Sequence, residues 1–212
     1  MRAAFAALSP AIRPPVQRAL GRWPTWPMPT LAVAWAVGMF VAGAAGMLGP
    51  DPVDAITGQT GTLALAFLVL GLWLSPLRRL TGLPLQRWRR AFGLSAFAFL
   101  AAHALTWALL DLGLSPERLL AEILRAPFLS LGMGALLLLL PLAATSWDGA
   151  MRRMGPVRWR ALHRLTYLAV AFACIHFAMG SKVWEGDHAL WIGLAAAALA
   201  ERAWRWRKGE RV

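Results

Sequence analysis

Three histidines of this 212-residue chain, His103, His163 and His176, lie within long apolar stretches, and His188 stands at the start of another. In a soluble core a lone histidine is usually just hydrogen-bonded. Within lipid an ionisable side chain is costly and marks an ion, proton or cofactor path. His103 closes the run RRAFGLSAFAFLAAH, His163 sits in WRALHRLTY and His176 in AVAFACIHF.

Depth relates the three. Thirteen residues separate Arg90 from His103, about 20 Å of helical rise, and twelve separate Arg164 from His176, about 18 Å. With both stretches running the same way from a basic boundary, the two imidazoles reach similar heights. If their helices are neighbours, an iron between them takes one nitrogen from each, the axial arrangement of a bis-histidine b-type cytochrome. Filling both axial positions favours electron transfer over oxygen chemistry.

His163 falls about 20 Å nearer the basic side than His176. A second, inner haem level is therefore geometrically open, so one or two haems b are expected. On an ideal helix, however, the two histidines of this stretch point about 140° apart. No histidine faces His163 from the stretch of His103, where Arg89 and Arg90 stand instead. Arg89 shares a helix face with His103 and is a candidate to clasp a haem propionate or, less usually, to lie over the iron. Anchoring the basic boundary is the ordinary role for both arginines. His188, beside Asp187, reads as a helix-start residue.

Positioning these side chains requires membrane-spanning helices. Hydrophobic residues make up 58% of the chain and mean hydropathy is +0.54, above the roughly 45 to 50% apolar content of a soluble domain. Six stretches, at 31–49, 61–77, 91–110, 128–144, 162–180 and 188–204, approach the ~20 residues that cross a bilayer. The expected fold is all-α, a compact bundle of about six transmembrane helices with no internal repeat. Residues 1–30 form a cytoplasmic lead-in, 31–204 the membrane domain and 205–212 a short basic tail. The lead-in lacks the apolar core and cleavage site of a signal peptide.

Nineteen of the 22 Lys and Arg fall in four segments, 2–22, 78–90, 152–164 and 202–211, leaving Arg118, Arg125 and Lys182. Seven acidic residues, among them Asp51, Asp111, Glu117 and Glu185, fall on the other side. Basic loops stay in the cytoplasm, so both termini are expected there. The net charge of +12 is distributed between apolar runs, unlike the basic patch of a nucleic-acid domain. The single cysteine, Cys174, excludes a disulfide framework and reads as a small apolar side chain. Tryptophans near span ends, such as Trp23, Trp88, Trp159, Trp184 and Trp204, read as interfacial anchors.

The segment Arg89 to His103, the Trp and Leu-His of Trp159 to Tyr167, and His176 resemble the MsrQ family of haem-binding membrane subunits. That family lies within the wider group carrying a ferric-reductase-like transmembrane domain. The likeness extends over roughly 45–205, with weaker echoes in DPV at Asp51, TG at Thr57 and the pair Thr145 and Ser146. It departs before Pro127, where the family usually carries a basic residue and this chain has Ala126. The resemblance implies a bacterial inner-membrane subunit taking electrons from the quinone pool, or from a flavin through a cytosolic flavin reductase. Its haem would deliver them to MsrP, a periplasmic molybdenum enzyme that reduces methionine sulfoxide in oxidised proteins. Sulfoxide chemistry is then expected on the partner. FMN is also implied, with no feature here that locates it.

Two other classes use the same residues. A stand-alone ferric reductase or superoxide-forming oxidase would append a flavin and nicotinamide domain, which a chain ending at Val212 is not expected to have. A transporter would use the histidines as a proton relay or metal pathway and would show no Soret absorbance.

Overall fold

The computed structural model describes residues 13–180 and 186–209, and among these there is no β-strand. Lys182, Trp184, Glu185, Arg211 and the first twelve residues lie outside the described part. The described residues form nine helices in order: α1 (Arg13–Arg22), α2 (Pro27–Ala44), α3 (Pro52–Thr81), α4 (Arg89–Thr106), α5 (Pro116–Arg125), α6 (Pro127–Ala144), α7 (Asp148–His163), α8 (Leu165–Gly180) and α9 (Gly186–Arg207). A 3₁₀ turn at Leu85–Trp88 leads into α4, which leaves through a π turn at Trp107–Asp111.

Proline sets several starts. Pro27, Pro52, Pro116 and Pro127 occupy the first turn of α2, α3, α5 and α6, where a missing N–H costs nothing and φ is already helical. This is why α2 begins four residues before the apolar stretch. It ends at Ala44 rather than residue 49 because Gly46 and Gly49, at φ 72° and 84°, turn the chain. The DPV echo is a helix start, in which the Asp51 carboxylate accepts the Asp54 N–H at 2.9 Å. Ala126, the departure before Pro127, takes the extended conformation that a following proline favours.

Five stretches are long and apolar enough to cross a membrane: Pro27–Ala44, Pro52–Thr81, Leu85–Asp111, Pro127–Ala144 and Asp148–Gly180. The fifth is not one continuous rod. Gly155, at φ 76°, interrupts α7 immediately before Pro156, and Arg164 separates α7 from α8. The sixth expected span corresponds to α9, long enough but carrying Glu201, Arg202 and Arg205 in its last two turns. Three further helices, α1, α5 and all but the last two residues of α7, form where the apolar pattern marked no span.

The core is centred on α3, whose Leu65, Leu68, Val69 and Leu72 meet Ala96 of α4, Leu139 and Leu142 of α6, Ala169 and Val170 of α8, and Ala195 and Ala198 of α9. The alanines let the backbones approach closely, as membrane helices require in the absence of a hydrophobic drive between them. Cys174 packs against this cluster as an ordinary small side chain. On α2 only Ala32 and Ala36 are buried, while Leu31, Val33, Trp35, Val37 and Val41 face outward. An apolar face that extensive matches lipid better than water.

Pro76 interrupts the hydrogen-bond ladder of α3, because a proline at that position cannot donate to the carbonyl of Leu72. The buried guanidinium of Arg202 on α9 supplies the missing donor through Nη2, and its Nη1 bonds Ala198 O at 2.7 Å. Trp73 Nε1 adds a bond to Leu194 O at 3.0 Å, and Arg79 pairs with Glu201. Two charges of α9, Glu201 and Arg202, are thus turned onto α3.

Candidate functional site

His103 on α4 and His176 on α8 meet in the interior, their ring centres 6.0 Å apart and their planes at 83°. Their helices make little direct backbone contact. Helix α4 packs on α3 and α2, α8 packs on α6 and α9, and the imidazoles reach across between these pairs.

Each ring is held the same way. His103 Nδ1 lies 2.9 Å from Thr57 O on α3, and His176 Nδ1 lies 2.7 Å from Phe128 O on α6. A carbonyl only accepts, so both Nδ1 atoms carry the proton, and a neutral ring then keeps its lone pair on Nε2. One turn beyond each carbonyl stands a glycine, Gly61 or Gly132. A Cβ added there would come to 2.9 Å from His103 Nδ1 and to 2.8 Å from His176 Nδ1. Phe128 also stacks on His176, with centres 5.7 Å apart. Although the sequence shows no internal repeat, the structure repeats this unit of carbonyl, glycine and histidine on two helix pairs.

Two metal–imidazole bonds of about 2 Å, with about 1 Å more from each nitrogen to its ring centre, separate two axial imidazoles by about 6 Å. The observed 6.0 Å fits a metal between them. Among the described residues no group of three or more His, Cys, Asp or Glu side chains is placed to hold a metal. Two imidazoles suffice when a macrocycle provides the equatorial ligands, the haem case. The hydroxyl of Thr57, buried beside the His103 carbonyl contact and without a partner, leaves hydrogen-bonding capacity at the site.

His163 is not brought to this pair. It ends α7, stacked on Trp159 with ring centres 3.8 Å apart, and its Nε2 lies 3.2 Å from Thr145 Oγ1. The Thr145 hydroxyl gives its hydrogen to Pro141 O at 2.7 Å, so it accepts from His163, whose Nε2 is therefore the protonated nitrogen. Trp159 covers this ring and donates Nε1–H to Thr145 O at 3.0 Å. Arg89 donates to Ser75 Oγ, as does Gln86 Nε2 at 3.1 Å. Arg90 pairs with Asp148 at 2.6 Å. His188 stacks on Phe177, centres 4.3 Å apart, and pairs with Asp187.

Sequence reading passed over Gly61, Gly132 and the carbonyls of Thr57 and Phe128. The TG echo at Thr57 and the threonine of the pair at Thr145 were the available signals, since both end against histidines.

Residues 60–174 match the family model described as ferric reductase like transmembrane component. The chain is 41% identical over 182 residues, 86% of its length and 82% of theirs, to proteins from Brucella ovis, Brucella canis and Brucella suis. Each is named protein-methionine-sulfoxide reductase heme-binding subunit MsrQ. No solved structure matches.

Proposed function

This chain belongs to the MsrQ family, a multi-pass membrane family with a ferric-reductase-like transmembrane component, and from that premise we propose that His103 and His176 are the axial ligands of a b-type haem. The observation that carries this reading is the pair of rings 6.0 Å apart, each with Nδ1 engaged by a helix carbonyl. A bound haem supplies reversible one-electron transfer.

The protein's own contribution is positional. Thr57 O and Phe128 O fix the tautomers and leave both Nε2 lone pairs available. The apolar helices around the rings exclude water, and a metal held by both histidines would have no site left open to oxygen. Rings anchored in this way suit fixed ligands better than a proton relay, which needs exchangeable partners.

In the full reading, six helices including α9 cross the bacterial inner membrane with both termini in the cytoplasm, following the basic-residue count. Electrons enter at the basic end, near His163 and Arg89, from the quinone pool or from a flavin such as FMN. They leave at the acidic end towards MsrP, the periplasmic molybdenum partner on which methionine sulfoxide is reduced. Arg89, set by Ser75, is available to an anionic cofactor edge at the basic end.

The test is a pyridine haemochrome assay normalised to purified protein. It is expected to give haem b at one or two equivalents and a bis-imidazole low-spin spectrum. Protein without haem, or a b-type spectrum unaltered in His103→Ala and His176→Ala, refutes the reading.

A further inference from the structure

Gly61 and Gly132 stand in the interiors of helices, where glycine is less favourable than alanine. Neither has a positive φ, so neither is required by the backbone. What separates them from Gly38, Gly58, Gly93 and Gly193 is their surroundings. A Cβ at those four positions meets nothing within 4 Å. At Gly61 it would lie 2.9 Å from Nδ1 and 3.0 Å from Cε1 of His103, and at Gly132 2.8 Å and 2.9 Å from the same atoms of His176. Separations below 3.0 Å are essentially never adopted by a real Cβ, so one side chain would have to move.

In both places the glycine is four residues beyond the carbonyl that the ring bonds. The peptide N–H of the glycine therefore belongs to the helical turn closed by that carbonyl, and the imidazole lies against the turn with its N–H on the same oxygen. Each histidine is constrained twice, by a directional bond at Nδ1 and by contact with a bare Cα. Together these set the ring's rotation as well as its tautomer. The two settings yield planes 83° apart.

We propose that Gly61 and Gly132 are positioning residues, paired notches that fix the two imidazole planes nearly perpendicular and so determine the ligand field at the metal. The proposal rests on the assignment of His103 and His176 as haem ligands and adds the element that orients them. Glycine is required at 61 and 132 for the ring above it, not for helix packing or chain flexibility. An added methyl group tilts the ring or lifts its N–H from the carbonyl, and the metal registers the change even where haem stays bound.

The experiment compares Gly61→Ala, Gly132→Ala and the open-space control Gly58→Ala, each purified with its haem. Haem content comes from the pyridine haemochrome and ring orientation from low-temperature EPR of the ferric state. Perpendicular axial imidazoles give the parent protein a single low-spin feature at unusually high g. The two notch variants are expected to lose that feature to a rhombic low-spin or a high-spin signal, with Gly58→Ala keeping the parent spectrum. Parent-like spectra in both notch variants, or the same change in Gly58→Ala, overturn the proposal. A parent protein with a rhombic spectrum also overturns it while leaving the haem assignment intact, whereas a haem-free parent refutes that assignment and this proposal together. If the alanine variants fail to accumulate, the EPR spectrum of the parent protein decides: the single high-g feature supports rings set perpendicular, and a rhombic spectrum removes the notches.

Discussion

At the acidic end of the bundle His103 and His176 give their Nδ1 protons to helix carbonyls, which leaves the lone pair on Nε2. At the basic end His163 has the opposite nitrogen engaged, its Nε2 donating to Thr145 while Trp159 covers its face. The surrounding polar groups differ in the same sense. Arg89 bonds Ser75, Arg90 bonds Asp148, and Arg79 and Arg202 tie α3 to α9. One end converges its polar atoms on a shared interior point, and the other uses them to stitch helix to helix. Residue type and apolar setting do not distinguish these uses; the nitrogen that the protein leaves unbound does.

The sharpest way to break this contrast is to remove one histidine at a time. His103→Ala is expected to abolish the haem spectrum of the acidic end, and His163→Ala to leave that spectrum in place, as read by Soret absorbance per protein. Complete loss from both variants would erase the distinction. Next in size is Arg202→Met, which orphans the Leu72 carbonyl and is expected to lower stability by about 2 kcal/mol in denaturant unfolding in detergent. In a Pro76→Ala background, where the helix regains its own N–H, the same change should cost about 1 kcal/mol less. Equal costs in the two backgrounds would show that the guanidinium does not serve that carbonyl. His163→Phe keeps an aromatic face for Trp159 and loses one hydrogen bond, for an expected cost of about 1 kcal/mol and an unaltered acidic-end spectrum. The smallest effect belongs to Asp148→Asn, which removes an exposed ion pair and should leave the unfolding midpoint within error of the parent.

Much of the fold was legible because hydropathy and helical rise act along one dimension. Apolar length marked the helices, and counting residues from Arg90 and Arg164 put His103 and His176 at comparable heights. Lateral arrangement is a second dimension that neither count contains. The ring contacts with Thr57 and Phe128, and the bare Cα of Gly61 and Gly132 beneath them, depend on which helix lies beside which. Within 162–180 the helix is interrupted only at Arg164, which leaves His163 as the last residue of α7 and His176 on α8, while the kink at Gly155 lies before that stretch. Helix α5 was missed because its apolar residues alternate with Glu117, Arg118, Glu122 and Arg125 at helical rather than continuous spacing. Proline at the first turn, by contrast, was readable in the sequence and sets the starts of four helices.

The bond from Arg202 to the carbonyl beneath Pro76 bears on biogenesis. Translation delivers α3 long before α9, so the acceptor for the last helix's guanidinium is already made when that helix leaves the ribosome. A segment too charged to partition into lipid unaided can then be retained by docking on its predecessors. A chain truncated before residue 202 would leave the Leu72 carbonyl of α3 without the donor that replaces the missing N–H of Pro76.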